Sequence, residues 1–143
     1  LKDKHIKAFM ETAQVWAKQS TATRLQVGAI AVKDNRIISI GYNGQPSGWD
    51  NNCEYASHLE DGTTQLKTKP TVLHAEMNAL MKIARSTESS DGATLFITHS
   101  PCMDCAKSIF QSGIKSVFYR EKYRSDDGIE FLKKCGVEVI QLV

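Results

Sequence analysis

His74-Ala75-Glu76 and, farther on, Pro101-Cys102-Met103-Asp104-Cys105 hold the most pointed chemistry in this chain. One imidazole and two thiolates are donors that zinc prefers. Three such donors leave one tetrahedral position open for water, as in catalytic rather than closed structural sites. Glu76 is a carboxylate beside that open position and a candidate to move protons. Two thiolates leave the ion less positive than imidazoles would, so a neighbouring base gains importance. Cys102 and Cys105 share a face if they lie on one helix. In the first turn of that helix, the dipole and free N–H groups favour thiolate over thiol. Residues two apart on a helix point to nearly opposite sides. His74 and Glu76 can therefore address one ion only if His74 stands where its helix begins.

Two other readings compete. A Cys-x-x-Cys can be a redox dithiol. A structural zinc could take a fourth ligand from Cys53, His58 or His99, which would make Glu76 incidental.

The elements that must position these residues follow from periodicity. Ile6, Phe9, Met10, Ala13, Trp16 and Ala17 predict a helix over 2–19. Two strands, 27–33 and 36–41, flank Asp34-Asn35, which is tight hairpin chemistry. Residues 41–70, rich in Gly, Pro, Asn, Asp, Ser and Thr, read as a long irregular insertion with a ligand-binding role. A helix is expected over 73–85, with Met77, Leu80, Met81 and Ala84 as its buried stripe. Then come a strand at 94–98, a helix from Cys102 to about Ser112, a strand at 116–119, a helix at 126–134 and a strand at 137–143. Helical crossovers join parallel strands. With the first hairpin, this predicts an α/β fold, a five-stranded mixed sheet between helix layers, in one domain over 1–143.

A chain of 143 residues can bury a substantial core. A net charge of +2 argues against a protein built to hold long nucleic acid. No apolar run is long enough to span a bilayer, and no signal peptide opens the chain. Four cysteines, two of them in the Cys-x-x-Cys, suit a reducing compartment, so a cytoplasmic location is expected.

His-x-Glu followed by Pro-Cys-x-x-Cys is the known signature of zinc nucleobase deaminases. The chain thus resembles the cytidine deaminase superfamily, whose three-layer α/β/α fold matches the expected sheet. Three further segments resemble its deoxycytidylate (dCMP) deaminase branch: Arg24 to Ala29, Arg36 to Gly44 with its Gly-Tyr-Asn-Gly turn, and Tyr119 to Tyr123 followed by Gly128-Ile129 and Leu132. Together they cover nearly the whole chain, and the turn is the most discriminating part.

The resemblance implies hydrolysis of dCMP to dUMP and ammonia, feeding dTMP synthesis, with Zn2+ on His74, Cys102 and Cys105 and Glu76 as the proton carrier. It implies that Asn43 reaches the substrate sugar and that Tyr123 lies near the pyrimidine ring. Arg24, Lys122 and Arg124 are candidates for the 5′-phosphate, and Thr71, Val72 and Ser100 for the base pocket. It also implies activation by dCTP and inhibition by dTTP, each with Mg2+, at a site around Gly41, Tyr42, Asn43 and Gly44. Arg85 would lie near a subunit contact of a homo-oligomer, commonly a hexamer. Ala22 stands where some members have a cysteine, so no second zinc is expected. Neither a membrane nor a stable nucleic acid is an expected partner, and the location would be host cytoplasm for a viral source. The alternative within the superfamily is a base deaminase acting on tRNA or single-stranded nucleic acid. Outside it stands a zinc module that only binds.

Overall fold

The computed structural model describes residues 1–143. Helix α1 (Asp3–Ala17) leads into a hairpin of β1 (Gly28–Lys33) and β2 (Arg36–Tyr42), and a second hairpin, β3 (Glu54–His58) with β4 (Thr64–Thr68), stands in the following excursion. Then α2 (Ala75–Ala84), β5 (Thr94–His99), α3 (Met103–Gln111), β6 (Ser116–Glu121), α4 (Asp127–Lys134) and β7 (Glu138–Gln141) alternate. Five strands form one sheet in the order β2-β1-β5-β6-β7. β1 runs antiparallel to β2 and β5, whereas β5, β6 and β7 are parallel, as helical crossovers require.

Side chains alternate across a strand, and that alternation builds the three layers. Ala29, Ala31, Leu95, Ile97 and Val117 face one side, against Ala75, Ala79, Ile83, Ala106, Ile109 and Leu132 of α2, α3 and α4. Ile30, Val32, Phe96 and Phe118 face the other side, against Met10 and Ala13 of α1. Phe96 and Phe118 stack there with centroids 4.9 Å apart. Asp34 and Asn35 both take positive φ, 52° and 59°, the tight turn that joins β1 to β2.

The stripe of α2 differs from the expected one. Ala75, Glu76, Ala79, Leu80 and Ile83 are buried, while Met81 is 49% exposed and Ala84 is exposed. Small residues win the sheet-facing row because α2 lies very close to β2. A Cβ added at Gly41 would strike the Ala75 carbonyl. The large methionines are displaced to the flank. A second close approach seats α4 beside the metal-ligating loop, where a Cβ at Gly128 would strike the Pro101 carbonyl.

The excursion is also more regular than expected. β3 and β4 pair in register from Glu54↔Thr68 to His58↔Thr64. Every residue of β4 is exposed, so no apolar alternation marks it. Where this excursion leaves and rejoins the fold, Gly44 and Leu73 form an isolated bridge of two hydrogen bonds, 3.1 and 2.8 Å.

Candidate active site

Two helix beginnings meet beyond the end of β5. His74 is the residue that caps α2 and Cys102 the residue that caps α3, both in extended backbone and neither with a side-chain capping bond. The first-turn N–H groups are therefore free to favour negative charge. Glu76 follows in the first turn of α2 and Cys105 in that of α3. His74 thus stands outside the regular helix, which frees it from the opposite-face problem.

His74 Nδ1 lies 3.3 Å from Cys105 Sγ and 3.7 Å from Cys102 Sγ. All three donor atoms fall within 4.8 Å of one another. Bonds of about 2.0–2.3 Å at tetrahedral angles separate ligand atoms by about 3.5–3.8 Å, so the donor set fits zinc. No fourth protein donor joins the cluster. Cys53 is buried with Ala22 and Val72, His58 sits on the β3–β4 hairpin, and His99 bonds Thr98 and Glu121.

The electrostatics are those of donors crowded enough to share one proton or one cation. Bonds from the Cys105 thiol and from His74 pull the Cys102 pKa down from 9.0 to about 4. Cys105, which keeps the proton it lends Cys102 and is buried near Glu76, is pushed up. The same bond to Cys102 raises His74. Glu76 is 4% exposed, and burial raises its carboxyl above the usual range.

The cluster lies in a cleft of about 750 Å3. Asn43, Val72, Ser100, Tyr123, Lys122 and Arg24 line it with His74, Glu76 and Cys102. Asn43 is pinned to the backbone before β1: its Oδ1 accepts from Val27 N at 2.9 Å, and its Nδ2 donates to Leu25 O at 2.8 Å. Ser100 Oγ accepts from Tyr123 N at 2.7 Å, which locks the 121–124 segment against the metal loop. Lys122 lies 3.7 Å from Asp126. Arg124 stacks its guanidinium 5.6 Å from the Tyr123 ring centroid and also lines the cleft.

Thr71 stands apart from this lining; its Oγ1 donates to Gln45 Oε1 at 2.8 Å. Gly41 is buried against α2, Tyr42 stacks on Trp16, and Arg85 is exposed at the end of α2. Of the turn residues only Asn43 reaches the cleft. The cleft also contains residues that sequence reasoning did not single out: Tyr55, Gln65, Lys67 and Thr68 of the β3–β4 hairpin, inside the excursion read as ligand-binding, and His99 with Glu121. Asp61-Gly62, a hairpin-turn pair in the loop between β3 and β4, is the sequence signal that marks the first group.

Residues 3–121 match the family described as the cytidine and deoxycytidylate deaminase zinc-binding region. The ComE operon protein 2 of Bacillus subtilis (strain 168) is 37% identical over 135 residues, covering 94% of this chain and 69% of that protein. The deoxycytidylate deaminase of Enterobacteria phage T4 is 34% identical over 170 residues, covering 93% of this chain and 87% of that protein. The crystal structure of the dCMP deaminase from cyanophage S-TIM5, in complex with dCMP and dUMP, superposes with a TM-score of 0.88 at 49% identity and covers 99% of both chains. With its three donors grouped at the starts of α2 and α3 and the match spanning most of its length, the chain belongs to the cytidine and deoxycytidylate deaminase family.

Proposed function

We propose that this chain hydrolyses dCMP to dUMP and ammonia, as one deaminase unit over residues 1–143. A single observation carries the reading: one cleft is lined by His74, Cys102 and Glu76, with Cys105 grouped behind them, and also by Arg24, Lys67, Lys122 and Arg124. The first group suits an aminopyrimidine, the second a 5′-phosphate. The likeness to the cyanophage dCMP deaminase supports the same substrate.

Zinc, when bound by His74, Cys102 and Cys105, lowers the pKa of water in the open position. Glu76 takes a proton from the attacking water and delivers it to ring nitrogen N3. It then takes the remaining proton from the oxygen now joined to ring carbon 4 and passes it to the amino group, so that the C=O forms as the C–N bond breaks and ammonia leaves. Burial raises its proton affinity toward the range in which a carboxyl can both accept and donate. Asn43, held by the 25–27 backbone, presents its remaining amide hydrogen to a sugar hydroxyl. Tyr123, tied to Ser100, lies beside the base.

The family reading extends to regulation. dCTP as activator and dTTP as inhibitor, each with Mg2+, would act at the Gly41–Gly44 turn of a homohexamer in the cytoplasm, setting the supply of dUMP for dTMP synthesis. The Gly44–Leu73 bridge supports such a link, because it joins the turn to the residue next to His74.

The test is ammonia release from dCMP by zinc-loaded protein, with and without dCTP and Mg2+, in competition with a cytosine-containing oligonucleotide. Turnover of free dCMP is expected. Turnover of the oligonucleotide alone would give the chain to the nucleic-acid branch instead.

A further inference from the structure

Glu54 opens β3 and is 6% exposed; with Glu76 it makes up the buried acids of the chain. It does not line the cleft, and no step of deamination uses it. A buried carboxylate is unfavourable unless it is bonded. Its bonds run to the loop between α1 and β1: Glu54 Oε2 accepts the backbone N–H of Thr23 at 2.9 Å and that of Arg24 at 3.1 Å. That loop contains no helix or strand; Asn43 holds Leu25 and Val27 in it, and Glu54 holds Thr23 and Arg24.

The residue opposite Glu54 across the hairpin is Thr68, and Thr68 Oγ1 accepts from Arg24 Nη1 at 3.0 Å. One rung of the β3–β4 hairpin therefore holds Arg24 twice, its peptide by Glu54 and its guanidinium by Thr68. Glu54 grips the peptide, and no carboxylate lies within ion-pair distance of the guanidinium. The other guanidinium donors stay free for a ligand. Arg24, Lys67 and Thr68 all line the cleft that His74 and Cys102 also line. A long cationic side chain left free to sample its rotamers would lose much freedom on meeting an anion, and a pre-set one loses less.

We infer that Glu54 is a positioning residue that sets Arg24, through the first rung of the β3–β4 hairpin, for the phosphate of a nucleoside monophosphate, and so selects that substrate over the unphosphorylated nucleoside. The inference rests on the dCMP reading above and adds the device that recognises the phosphate.

Steady-state kinetics on zinc-loaded Glu54→Ala, Glu54→Gln and Thr68→Val, with metal content and melting temperature measured alongside, test it. Glu54→Ala raises KM for dCMP by about tenfold or more, the scale of a lost charge-assisted hydrogen bond, while kcat stays within about threefold. Glu54→Gln, whose amide oxygen still accepts both N–H groups, recovers most of that loss. Inhibition by dUMP weakens in Glu54→Ala, and inhibition by deoxyuridine does not. A fall in kcat at unchanged KM, the mark of fewer folded molecules, overturns the inference; so does equal weakening of dUMP and deoxyuridine. If Glu54→Ala does not fold, Thr68→Val on the exposed β4 strand decides: a raised KM supports the inference, and an unmoved one overturns it. Wild-type protein that leaves dCMP untouched overturns the underlying reading instead, a different result from wild-type turnover with indifferent variants.

Discussion

Glu76 and Glu54 are both buried carboxylates, yet their surroundings push them in opposite directions. Glu76 has burial as its largest influence and is raised. For Glu54 burial also acts upward, but the N–H groups of Arg24 and Thr23 and the Arg24 charge outweigh it and hold the carboxyl below its ordinary range. Glu76→Gln should lose about 10²–10⁴-fold in kcat, the usual worth of a general acid–base, and keep its zinc; ammonia release and metal analysis check both. A module that merely binds zinc would be indifferent. Glu54 gives a pH prediction with a definite sign. Its folded pKa is depressed, so the stability it contributes is present above its unfolded value and lost as pH falls through the folded one. The melting temperature of wild type should therefore fall more steeply than that of Glu54→Gln below about pH 4.5. Parallel curves for the two proteins would deny Glu54 this role.

Among the elements, α2 does the most positioning, and its closeness to β2 depends on absent side chains. Gly41→Ala should destabilise by about 1–3 kcal/mol through overpacking, read as a lower midpoint in denaturant melts. It should also disturb the start of α2, where His74 stands. Periodicity made most of this architecture legible: the buried runs of β1 and β5 and the crossover order from α2 to β7 required a mixed sheet. The row of α2 that faces it was read only in part: Leu80 is buried as expected, while Ala75, Ala79 and Ile83 take the places given to the methionines and Ala84. Met77 and Met81 carry more hydrophobicity than Ala75 and Ala79, but contact distance rather than hydrophobicity chose that row. β4 was invisible for the opposite reason. It has no buried face, so Thr64 to Thr68 show no alternation, and only the Asp61-Gly62 turn gives the hairpin away. The metal donors were legible because their spacing is itself chemistry. The excursion was legible as a ligand-binding segment, but Lys67 and Thr68 within it were not, because they reach the cleft through a pairing of strands that sequence pattern does not encode.

At the scale of the whole molecule, the metal donors join two segments far apart in the chain, α2 and the β5–α3 loop. Zinc binds these groups only when the fold brings them together, so its binding energy adds to folding stability. Removing it with a chelator should lower the melting temperature, and adding zinc back should restore it. Cys102→Ser should show the lower value with or without added zinc. The neck of the long excursion has its own consequence. Gly44 and Leu73 tie it shut like a drawstring, so the span between them is a bag whose mouth is already closed. Extra chain spliced into its far tip, between Asp61 and Gly62, lengthens a loop at only about 0.6 kcal/mol per doubling. A reporter peptide could be carried there while the ion-holding helices stay where they are.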